Sequence, residues 1–594
     1  MSVSIFKDKL MKASELCDHL LEAFVQSVEG ERNGAAVNRR ILRGIVDMYI
    51  EMGLYFAYLS PALVKETRRY YREEGQHLDR ALTLPASTAN VGASSSSPRV
   101  DVPYVLRHAE TRIREERERA DAYLDPKLKR HLIDEVQTML ISAHVTRILD
   151  LGFDAMMKQM SEEDLSRLYS LFRAIEKLDV LRMYWTVYIK TVGTAIVKNP
   201  ENDDTLVESL LDLKQRLDRI LANCMGSDPA FHHALKEAFE SFINTRQGRP
   251  TRLIAKFLDR YLRSDNAEIS DQSVNILLNR VLVLFRYIRG KDMFEAYYKQ
   301  GLSRRLIHGT SASKDIELLV LSKLKNECGE GFTSRLEGML KDIDISRDFA
   351  EKFSKSKAYK GAKVEFGPLT INKKYWPTYK PEKLEATSAA YEKYYCKEHD
   401  HRKLAWLSQL GTAVVAANYP AGPKEFEVTE YQALVLEAFN DQQSHSFGEL
   451  RDTLGINGED LSRTLMSLSR HDMPVLRKLT SGGSATKDDE FIANTEFTHA
   501  DTRIRLFEIE GESESKDANR AEEKVHLDRT YKIDAAIVRT MKVHKQLSHT
   551  ELINKLLGQI KFTIPELKGR IESVINRDFI ERDEDNPSLL VFVP

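Results

Sequence analysis

The first half of the chain is dominated by apolar residues that recur every three or four positions. Within the segment 38–59, five side chains follow this spacing: Ile41, Ile45, Met48, Met52 and Phe56. Such a stripe is typical of an amphipathic helix that packs on neighbouring helices. Similar stripes run through residues 129–151, 164–178 and 206–222. The pattern predicts a stalk of packed helices over residues 1–260, and a further helical part over residues 261–365.

The pattern changes after this helical part, where short apolar runs replace the helical stripes. The segments 402–418 and 424–429 look like strands. In the second of them, Phe426 and Val428 alternate with glutamates, which is the period of a half-buried strand. We therefore expect an α/β region over residues 366–427.

An internal repeat follows near the C-terminal end. The segments 460–472 and 566–578 share a helical pattern at an offset of 106 residues. The matched positions are Leu461 with Leu567, Leu465 with Ile571, Leu468 with Val574, and Asp472 with Asp578. Upstream of each lies a Ser-His pair, Ser444-His445 or Ser548-His549, that opens another helical segment.

A helix, a turn, a second helix and a strand pair make up the winged-helix plan. The repeat therefore predicts two winged-helix modules, over residues 428–505 and 525–594. The segment 506–524 between them is acidic and polar, as expected of an exposed connector. The fold class predicted for the whole chain is mainly α, with an α/β region and two winged helices.

Composition and cysteine spacing exclude several classes of protein. The chain has 88 Lys and Arg residues against 90 Asp and Glu residues, so a surface that binds nucleic acid throughout is not expected. The four cysteines lie far apart and form no CxxC pair, so no zinc site of the usual spacing is expected. Residues 1–30 carry charges throughout and do not have the pattern of a signal peptide. No run of about 18 apolar residues predicts a membrane-spanning helix.

The usual catalytic motifs are absent from the sequence. It contains no GxxxxGK[ST], HExxH or GxSxG motif and no protein-kinase set. Cys328 has no histidine that can be assigned to it as a base, so a packed cysteine is the expected role. The sequence therefore predicts a non-catalytic scaffold with no catalytic residue, no metal site and no cofactor.

Winged helices often bind DNA, and this function is an alternative to a role in protein packing. The first candidate recognition helix offers Arg463 and Arg470, and the second offers Lys568, Arg570 and Arg577. In the second helix, glutamates offset the positive charge of these basic side chains. Mixed charge of this kind favours protein packing over contact with a DNA groove.

Three stretches of sequence resemble the cullin family. The first is FRYIRGKDMFEAYYKQGLSRRLIHG at 285–309, the second is YWPTY at 375–379 with RKLAWLSQL at 402–410, and the third is YKIDAAIVRTMKVHKQLSH at 531–549. Within the family, the chain most resembles cullin-4, on the segments 41–55, 188–200 and 570–587. The resemblance implies a stalk of helical cullin repeats, a four-helix bundle over 261–365, and a globular C-terminal part.

The resemblance also implies a function, that of the scaffold of a multisubunit ubiquitin ligase in the nucleus and cytoplasm. The C-terminal part of a cullin holds a RING-box protein, which recruits the ubiquitin-conjugating enzyme. The stalk of a cullin-4 holds a β-propeller adaptor of the DNA-damage-binding type, which carries WD40 substrate receptors. The resemblance begins at Asn38, and few residues precede it. The resemblance implies a further helical repeat there that carries most of the adaptor-binding surface of a cullin-4, so we expect this first repeat to be missing or reduced. A cullin homologue that has lost adaptor binding is therefore an alternative.

Lys542 stands where the family carries its acceptor for a ubiquitin-like modifier. If residues 534–545 form a helix, four side chains lie near one face: Ile533, Ala536, Ile537 and Thr540. Lys542 then lies on the opposite face. Arg539 and Lys545 flank it there as basic neighbours. The residues alone favour a solvated basic face, and the resemblance to the family shifts the interpretation to the acceptor role.

The RING-box protein of a cullin adds a strand to the sheet of its scaffold, a mode of binding in which main-chain hydrogen bonds supply affinity. Five strand-like residues are candidates for this partner region: Leu404, Trp406, Val414, Phe426 and Val428. The alternative is that they pack the core. The two interpretations are nearly even for Trp406, and the core is favoured for the other four.

Overall fold

The computed structural model is divided into two compact units. They comprise residues 1–250 with 287–289, and residues 251–286 with 290–594. The described residues are 14–83, 101–246, 248–263, 271–356, 359, 367–377, 388–399, 401–479, 485–486, 489–506, 512–559, 564–583 and 586–593.

The first unit consists of helices joined by short turns. In chain order they are α1 (Ser14–Arg32), α2 (Arg39–Glu51), a π-helical turn (Tyr55–Leu59), α3 (Ser60–Thr83), α4 (Val102–Tyr123), α5 (Pro126–Leu140), a 3-10 turn (Ser142–His144), α6 (Val145–Gln159), α7 (Glu162–Ala174), α8 (Leu178–Lys198), a 3-10 turn (Pro200–Asn202), α9 (Leu206–Cys224) and α10 (Pro229–Ile243). The predicted helical character of the stalk is confirmed.

Several of these helices begin at an aspartate that caps the first turn. The carboxylates of Asp101, Asp125 and Asp228 each accept a hydrogen bond from a backbone N–H in the first turn, and a proline stands at one of the first two positions of each helix. Proline is tolerated there because its missing N–H has no partner within the helix. The sequence therefore marks where α4, α5 and α10 begin.

The apolar stripe predicted in the segment 38–59 is right only in part. Met52 is buried, and Ile45 and Met48 pack partly against the core. Residues Leu42, Val46 and Tyr49 form the buried face of α2, whereas Ile41 is 61% exposed and Phe56 is 53% exposed. Two apolar stripes one residue apart compete in this helix, and packing against α4 decides between them. The helix also ends before Gly53, whose φ is 69°.

The second unit begins with helices and ends in mixed structure. Its helices are α11 (Arg249–Tyr261), α12 (Asp271–Tyr287), α13 (Lys291–Ile307), α14 (Lys314–Cys328), α15 (Glu330–Ser354), α16 (Ser388–Glu398), a 3-10 turn (Ser408–Leu410), α17 (Glu430–Ala438), α18 (Phe447–Leu454), α19 (Gly458–Leu468), α20 (Glu512–His544), α21 (His549–Gln559) and α22 (Ile564–Ile575). Its strands are β1 (Thr412–Tyr419), β2 (Gly422–Thr429), β3 (Ser444–Ser446), β4 (Leu476–Lys478), β5 (Glu490–Ala493), β6 (Arg503–Arg505), β7 (Gln546–Ser548), β8 (Ile580–Arg582) and β9 (Leu589–Phe592).

Two of the three sheets belong to winged-helix modules with the same topology. Their strand orders are β3-β5-β4 and β7-β9-β8, so in each the last strand lies between the other two. The apolar positions that the repeat matched are all fully buried: Leu461, Leu465, Leu468, Leu567, Ile571 and Val574. The repeat therefore identified the buried face of α19 and of α22.

The matching of Ser444-His445 with Ser548-His549 is wrong. Ser444 begins β3, whereas Ser548 ends β7. The structural counterpart of Ser548 is Ser446, which ends β3 and caps α18 in a reciprocal pair with Glu449. Ser548 forms the same pair with Glu551. The glutamate three residues after the serine identifies the cap. The serine hydroxyl accepts from the backbone N–H of the glutamate, and the glutamate carboxylate accepts from the backbone N–H of the serine.

The strand prediction for 402–418 is right only in its second half. Residues 402–406 have no regular structure, and β1 begins at Thr412. The strand β2 lies between β1 and β6, pairing antiparallel with the former and parallel with the latter. The helix α15 ends at Ser354. Trp376, further along the chain, returns to this helix, where its indole Nε1 donates to the Asp342 carboxylate at 2.9 Å.

The acidic segment 506–524 is helical from Glu512 onward, because α20 runs without interruption from Glu512 to His544. Residues 507–511 lie outside the described residues. The same helix therefore leads out of this segment and forms the first helix of the C-terminal module.

Candidate modification site and partner-binding edge

The helix α20 presents Lys542 to solvent from a well-packed base. The predicted inner face is correct, since Ile533, Ala536, Ile537 and Thr540 are all buried. Met541, directly before Lys542, is also fully buried. The Lys542 side chain is exposed, and its neighbour Val543 is 72% exposed. The amine therefore extends from a backbone that is held in place by the core beneath it.

The helix ends one residue before Lys545, so this flanking lysine does not continue the outer face of the helix. His544 is its last residue, and Lys545 adopts the left-handed conformation with φ 63°. The Lys545 N–H donates to the Met541 carbonyl at 2.7 Å, which closes the last turn. The Lys545 ammonium then lies over the ring of Phe592, 5.3 Å from its centroid. Lys545 is thus a neighbour of Lys542 that turns toward β9.

The side chain of His544 is also tied to the end of the helix. Its Nδ1 lies 3.0 Å from the Thr540 carbonyl oxygen, and a carbonyl only accepts, so the ring donates. Arg539, one turn before Lys542, is exposed. No carboxylate pairs with Lys542 among the residues that the structure describes. A primary amine in this position is accessible to an incoming thioester.

The C-terminal module is held together beneath Lys542 by one carboxylate and two guanidinium groups. Asp534 accepts from Arg570 at 2.6 and 2.9 Å and from Arg577 at 2.6 Å. Burial alone would raise the pKa of Asp534, but the two arginines outweigh it and hold that pKa below its usual value. Asp534 therefore stays ionised and joins α20 to α22.

These ion pairs also involve the basic residues that the DNA-binding alternative needs. Arg570 and Arg577 face Asp534 in the same module. In the first module, Arg463 pairs with Asp460 and Arg470 pairs with Asp472. An arginine that is paired within the protein has less of its charge available to a phosphate backbone. The ion pairs therefore favour protein packing as the role of both modules.

The helix α20 is docked on the four-helix part of the second unit. Arg529 forms a two-pronged ion pair with Asp292 at the start of α13, and the Tyr297 hydroxyl donates to Glu522. Burial opposes ionisation of Asp292, but Arg529 lowers the pKa of Asp292 overall. Sequence reasoning missed these contacts, because the residues lie more than 200 positions apart and no local pattern marks them.

The strand β1 has a free edge. Among the residues that the structure describes, β1 pairs only with β2, so the other side of its main chain carries no strand. Exposed and half-buried residues alternate along it, and Val414 on its outer face is 56% exposed. Among the described residues, this edge of eight residues carries main-chain N–H and C=O groups with no strand partner, and such an edge is a template for an added strand.

The five residues predicted for the partner region are divided between three environments. Phe426 and Val428 are fully buried in the core beneath the sheet, together with side chains of the first winged helix. Leu404 and Trp406 precede β1 and pack on a separate aromatic cluster, where the Trp406 ring lies 6.2 Å from that of Tyr391. Of the five, only Val414 lies on the exposed face of β1.

The described residues form neither a metal-binding cluster nor a membrane-spanning helix. No group of three or more His, Cys, Asp or Glu side chains there is arranged to hold a metal ion. No helix in the described part of the chain combines the length and apolar character needed to cross a membrane.

Family models match the chain along most of its length. The cullin alpha solenoid domain matches residues 1–350, the cullin alpha+beta domain matches residues 370–497, and the cullin protein neddylation domain matches residues 528–586. The first match starts at residue 1, so the similarity extends ahead of Asn38. The third range contains Lys542.

Curated relatives are similar over nearly the whole chain. Cullin-4A of Homo sapiens is 38% identical over 100% of this chain and 77% of that protein. Cullin-4 of Dictyostelium discoideum is 32% identical over 98% of this chain and 76% of that protein. Cullin-3 of the same organism is 31% identical over 99% of this chain and 81% of that protein. Because the solenoid model covers more than half of the chain and these relatives match it almost throughout, the chain belongs to the cullin family and, within it, is most like cullin-4.

Proposed function

We propose that this chain is a non-catalytic scaffold of a cullin-RING ubiquitin ligase that is activated when a ubiquitin-like modifier is conjugated to Lys542. The observation that carries the proposal is an exposed lysine on a rigid helix inside the segment that matches the neddylation domain. The scaffold works in the nucleus and cytoplasm and promotes ubiquitin-dependent degradation of its substrates.

The scaffold acts by proximity. A RING-box protein on the C-terminal part holds the charged ubiquitin-conjugating enzyme, and a β-propeller adaptor on the stalk holds a WD40 receptor with its substrate. Holding the substrate lysine and the thioester in one complex makes the transfer effectively intramolecular. The bond-making chemistry belongs to the conjugating enzyme, so the chain needs no catalytic residue of its own.

The free edge of β1 supports the RING-box part of the proposal. An added strand would satisfy its unpaired main-chain groups, and the side chains of that strand would lie beside Val414 on the outer face. Phe426 and Val428 support the same site from below, because they anchor β2, the strand paired with β1, in the core. Trp406 and Leu404 hold the segment that leads into β1.

The test of the modification site is reconstituted conjugation. The purified chain with its RING-box partner is incubated with modifier and its activating and conjugating enzymes, and the products are separated by size. Lys542→Arg should lose the heavier band, whereas the matched control Lys545→Arg should keep it. A band that persists in Lys542→Arg at wild-type intensity would refute Lys542 as the acceptor.

The test of the partner edge is binding of the RING-box protein, measured by co-purification. Val414→Lys places a charge on the outer face of β1 and should weaken binding at least about tenfold. Leu479→Lys is the control, because Leu479 is 59% exposed and lies outside the sheet of β1. Equal binding by both variants would place the RING-box protein elsewhere.

Two alternatives make different predictions. A winged-helix DNA-binding regulator would bind duplex DNA with an affinity that falls steeply with salt, and the internal pairing of Arg463, Arg470, Arg570 and Arg577 argues against it. A cullin homologue that has lost adaptor binding would co-purify with a RING-box protein and with no β-propeller protein. Mass spectrometry of the purified complex distinguishes the two from the scaffold.

A further inference from the structure

The stalk contains a groove between α6 and α8 that the proposed function does not use. It encloses about 530 Å³. Its walls include Asp154 and Lys158 of α6 and Val187, Tyr188, Thr191 and Ile196 of α8.

The two helices that form the groove run side by side in the same direction. The Tyr184 hydroxyl of α8 donates to Asp150 of α6 at 2.5 Å. Phe153 of α6 contacts the rings of Tyr184 and Tyr188, at centroid distances of 6.4 and 6.2 Å. Position 150 thus meets 184, and the next turn of each helix meets in the same order. Two parallel helices with a groove between them form a seat for a third.

The outer side of this seat is unusually apolar for a surface. Met183 and Val187, one turn apart on α8, are 56% and 57% exposed, and Leu151 on α6 is 51% exposed. The stripe continues along α8 through Thr191 and Ala195. From Met183 to Ala195 it measures about 18 Å, which is three turns of a helix. Contiguous exposed apolar side chains of this kind mark interaction surfaces.

The rim of the groove carries one acidic and one basic side chain. Asp154 and Lys158 lie four residues apart on α6, both exposed. Within the described part of the chain neither forms an ion pair, although an Asp and a Lys at this spacing can pair with each other. Along α6 the charges are therefore acidic and then basic in the direction of its C-terminal end.

The dipoles of α6 and α8 point the same way, so a third helix lies most favourably antiparallel to them. The first turn of such a helix lies beside Lys158, and its next turn lies beside Asp154. An acidic residue in the first turn and a basic residue four positions later would match both rim charges. The acidic residue would also match the positive end of the partner's own dipole.

We propose that the groove between α6 and α8 is a docking site for an amphipathic helix of a protein partner, bound antiparallel to α8. The partner helix has aliphatic residues at every third or fourth position, which pack on Met183, Val187 and Leu151. It carries a Glu or Asp that meets Lys158 and, four residues later, an Arg or Lys that meets Asp154. This is recognition of a helix in a groove, and it adds a binding surface midway along the stalk.

The experiment uses two synthetic peptides of about 16 residues. Both have leucines at helical spacing and a fluorescein label. In the first peptide, a Glu beside the leucine face precedes an Arg by four residues. In the second peptide, the Glu and the Arg exchange places. Binding to the full chain is followed by fluorescence anisotropy. The Glu-first peptide should bind more tightly, and Val187→Asp should weaken it at least about tenfold.

The controls separate specific docking from non-specific adhesion. Ile41→Asp introduces the same charge at a residue of the same unit that is 61% exposed and lies outside the groove, and it should leave binding unchanged. The double variant Asp154→Lys, Lys158→Asp should reverse the preference between the two peptides. Equal binding of both peptides to all variants would overturn the proposal.

A second copy of this chain is the competing occupant of the groove. Size-exclusion chromatography with light scattering of the wild-type chain and Val187→Asp tests it. Wild-type monomers agree with the proposal. A wild-type dimer that Val187→Asp converts to a monomer would assign the groove to self-association and overturn a partner helix.

Discussion

The ammonium group of Lys545 lies 5.3 Å from the centre of the Phe592 ring. The Lys545 carbonyl also accepts a hydrogen bond from the Phe592 N–H at 2.9 Å. The end of α20 and the strand β9 are thus joined by a side-chain and a main-chain contact, three residues after Lys542. The position of the exposed lysine depends on this junction as well as on the helix that carries it.

Phe592→Ala should loosen this junction and leave the acceptor lysine in place. The loss of a half-buried ring and of its contact with Lys545 should destabilise the C-terminal module by about 1–2 kcal/mol. Hydrogen exchange of the full chain should show faster exchange in peptides that contain Lys545. Val543→Ala, at a residue that is 72% exposed, is the control and should be nearly neutral. Unchanged exchange in Phe592→Ala would mean that the main-chain bond alone closes the junction.

Asp534→Asn should remove a contribution to stability that depends on pH. The folded-state pKa of Asp534 is lowered, so its stabilising effect is complete above the unfolded value of about 3.9 and is lost as the pH falls through the folded value. At pH 7 the variant should be less stable by about 1–3 kcal/mol. The two proteins should converge only as the pH falls through the folded-state pKa of Asp534.

Hydrogen exchange in peptides from α20 and α22, corrected for the intrinsic rate at each pH, measures this difference. Asp578→Asn is the control. Asp578 has φ 57°, a conformation that Asn tolerates as well as Asp does, and it is exposed. A constant difference between Asp534→Asn and wild type at all pH values would contradict the ion-pair explanation.

Glu116→Leu should be among the most damaging substitutions in the stalk. Arg32 donates to Glu116 at 2.6 Å, Arg119 at 2.8 Å and the Tyr71 hydroxyl at 2.8 Å. Burial alone would raise the pKa of Glu116, but Arg32 and then Arg119 lower it. Without the carboxylate the buried Arg32 loses its ion pair and keeps only the Thr67 hydroxyl, and Arg119 keeps only Glu115. Leaving this buried charge without its carboxylate should cost about 3–5 kcal/mol.

Chemical denaturation of the full chain, followed by circular dichroism, measures this cost. The control is Asp47→Asn, which breaks an ion pair with Arg43 in which both side chains are about half exposed. Exposed pairs contribute about 0–1 kcal/mol, so this variant should resemble wild type. Similar losses in both variants would contradict the role assigned to burial.

Gly193→Ala should destabilise the contact between α8 and α10. A Cβ at residue 193 would lie 2.4 Å from the Phe242 ring, so the two helices would have to move apart, at about 1–3 kcal/mol. Gly44→Ala is the matched control, because Gly44 also lies in a helix and has no atom within 4 Å of such a Cβ. It should be stabilising by about 0.5–1 kcal/mol. The thermal unfolding midpoints should therefore shift in opposite directions.

Much of the fold was predictable from local patterns. The repeat of Leu461 in Leu567 and of Leu465 in Ile571 identified the buried faces of two helices, because a helix that packs on one side must repeat its apolar residues every three or four positions. Capping by Asp101 and Asp125 is also local, because each carboxylate accepts from a backbone N–H two or three residues later. The inner face of the helix that carries Lys542 was predicted in the same way.

Other features were not predictable from any local pattern. From the sequence alone, Arg570 and Arg577 could belong to a DNA-binding helix. In the structure both form ion pairs with Asp534. The strand β6 pairs with β2 across more than 70 positions of sequence. Trp406 looked about equally suited to a partner surface and to a core, and only the structure shows it packed on the aromatic cluster that contains Tyr391.

The sequence by itself determined the mainly helical character, the two winged helices, the family and the outward face of Lys542, because periodicity and motifs are properties of neighbouring residues. Only the tertiary structure decided which of two stripes α2 buries, where the helix before Lys545 ends, which arginines are already paired and which edge of β1 is free. Each of these depends on the free energy of contacts between residues far apart in the chain, and a local pattern that fits two environments equally well cannot choose between them.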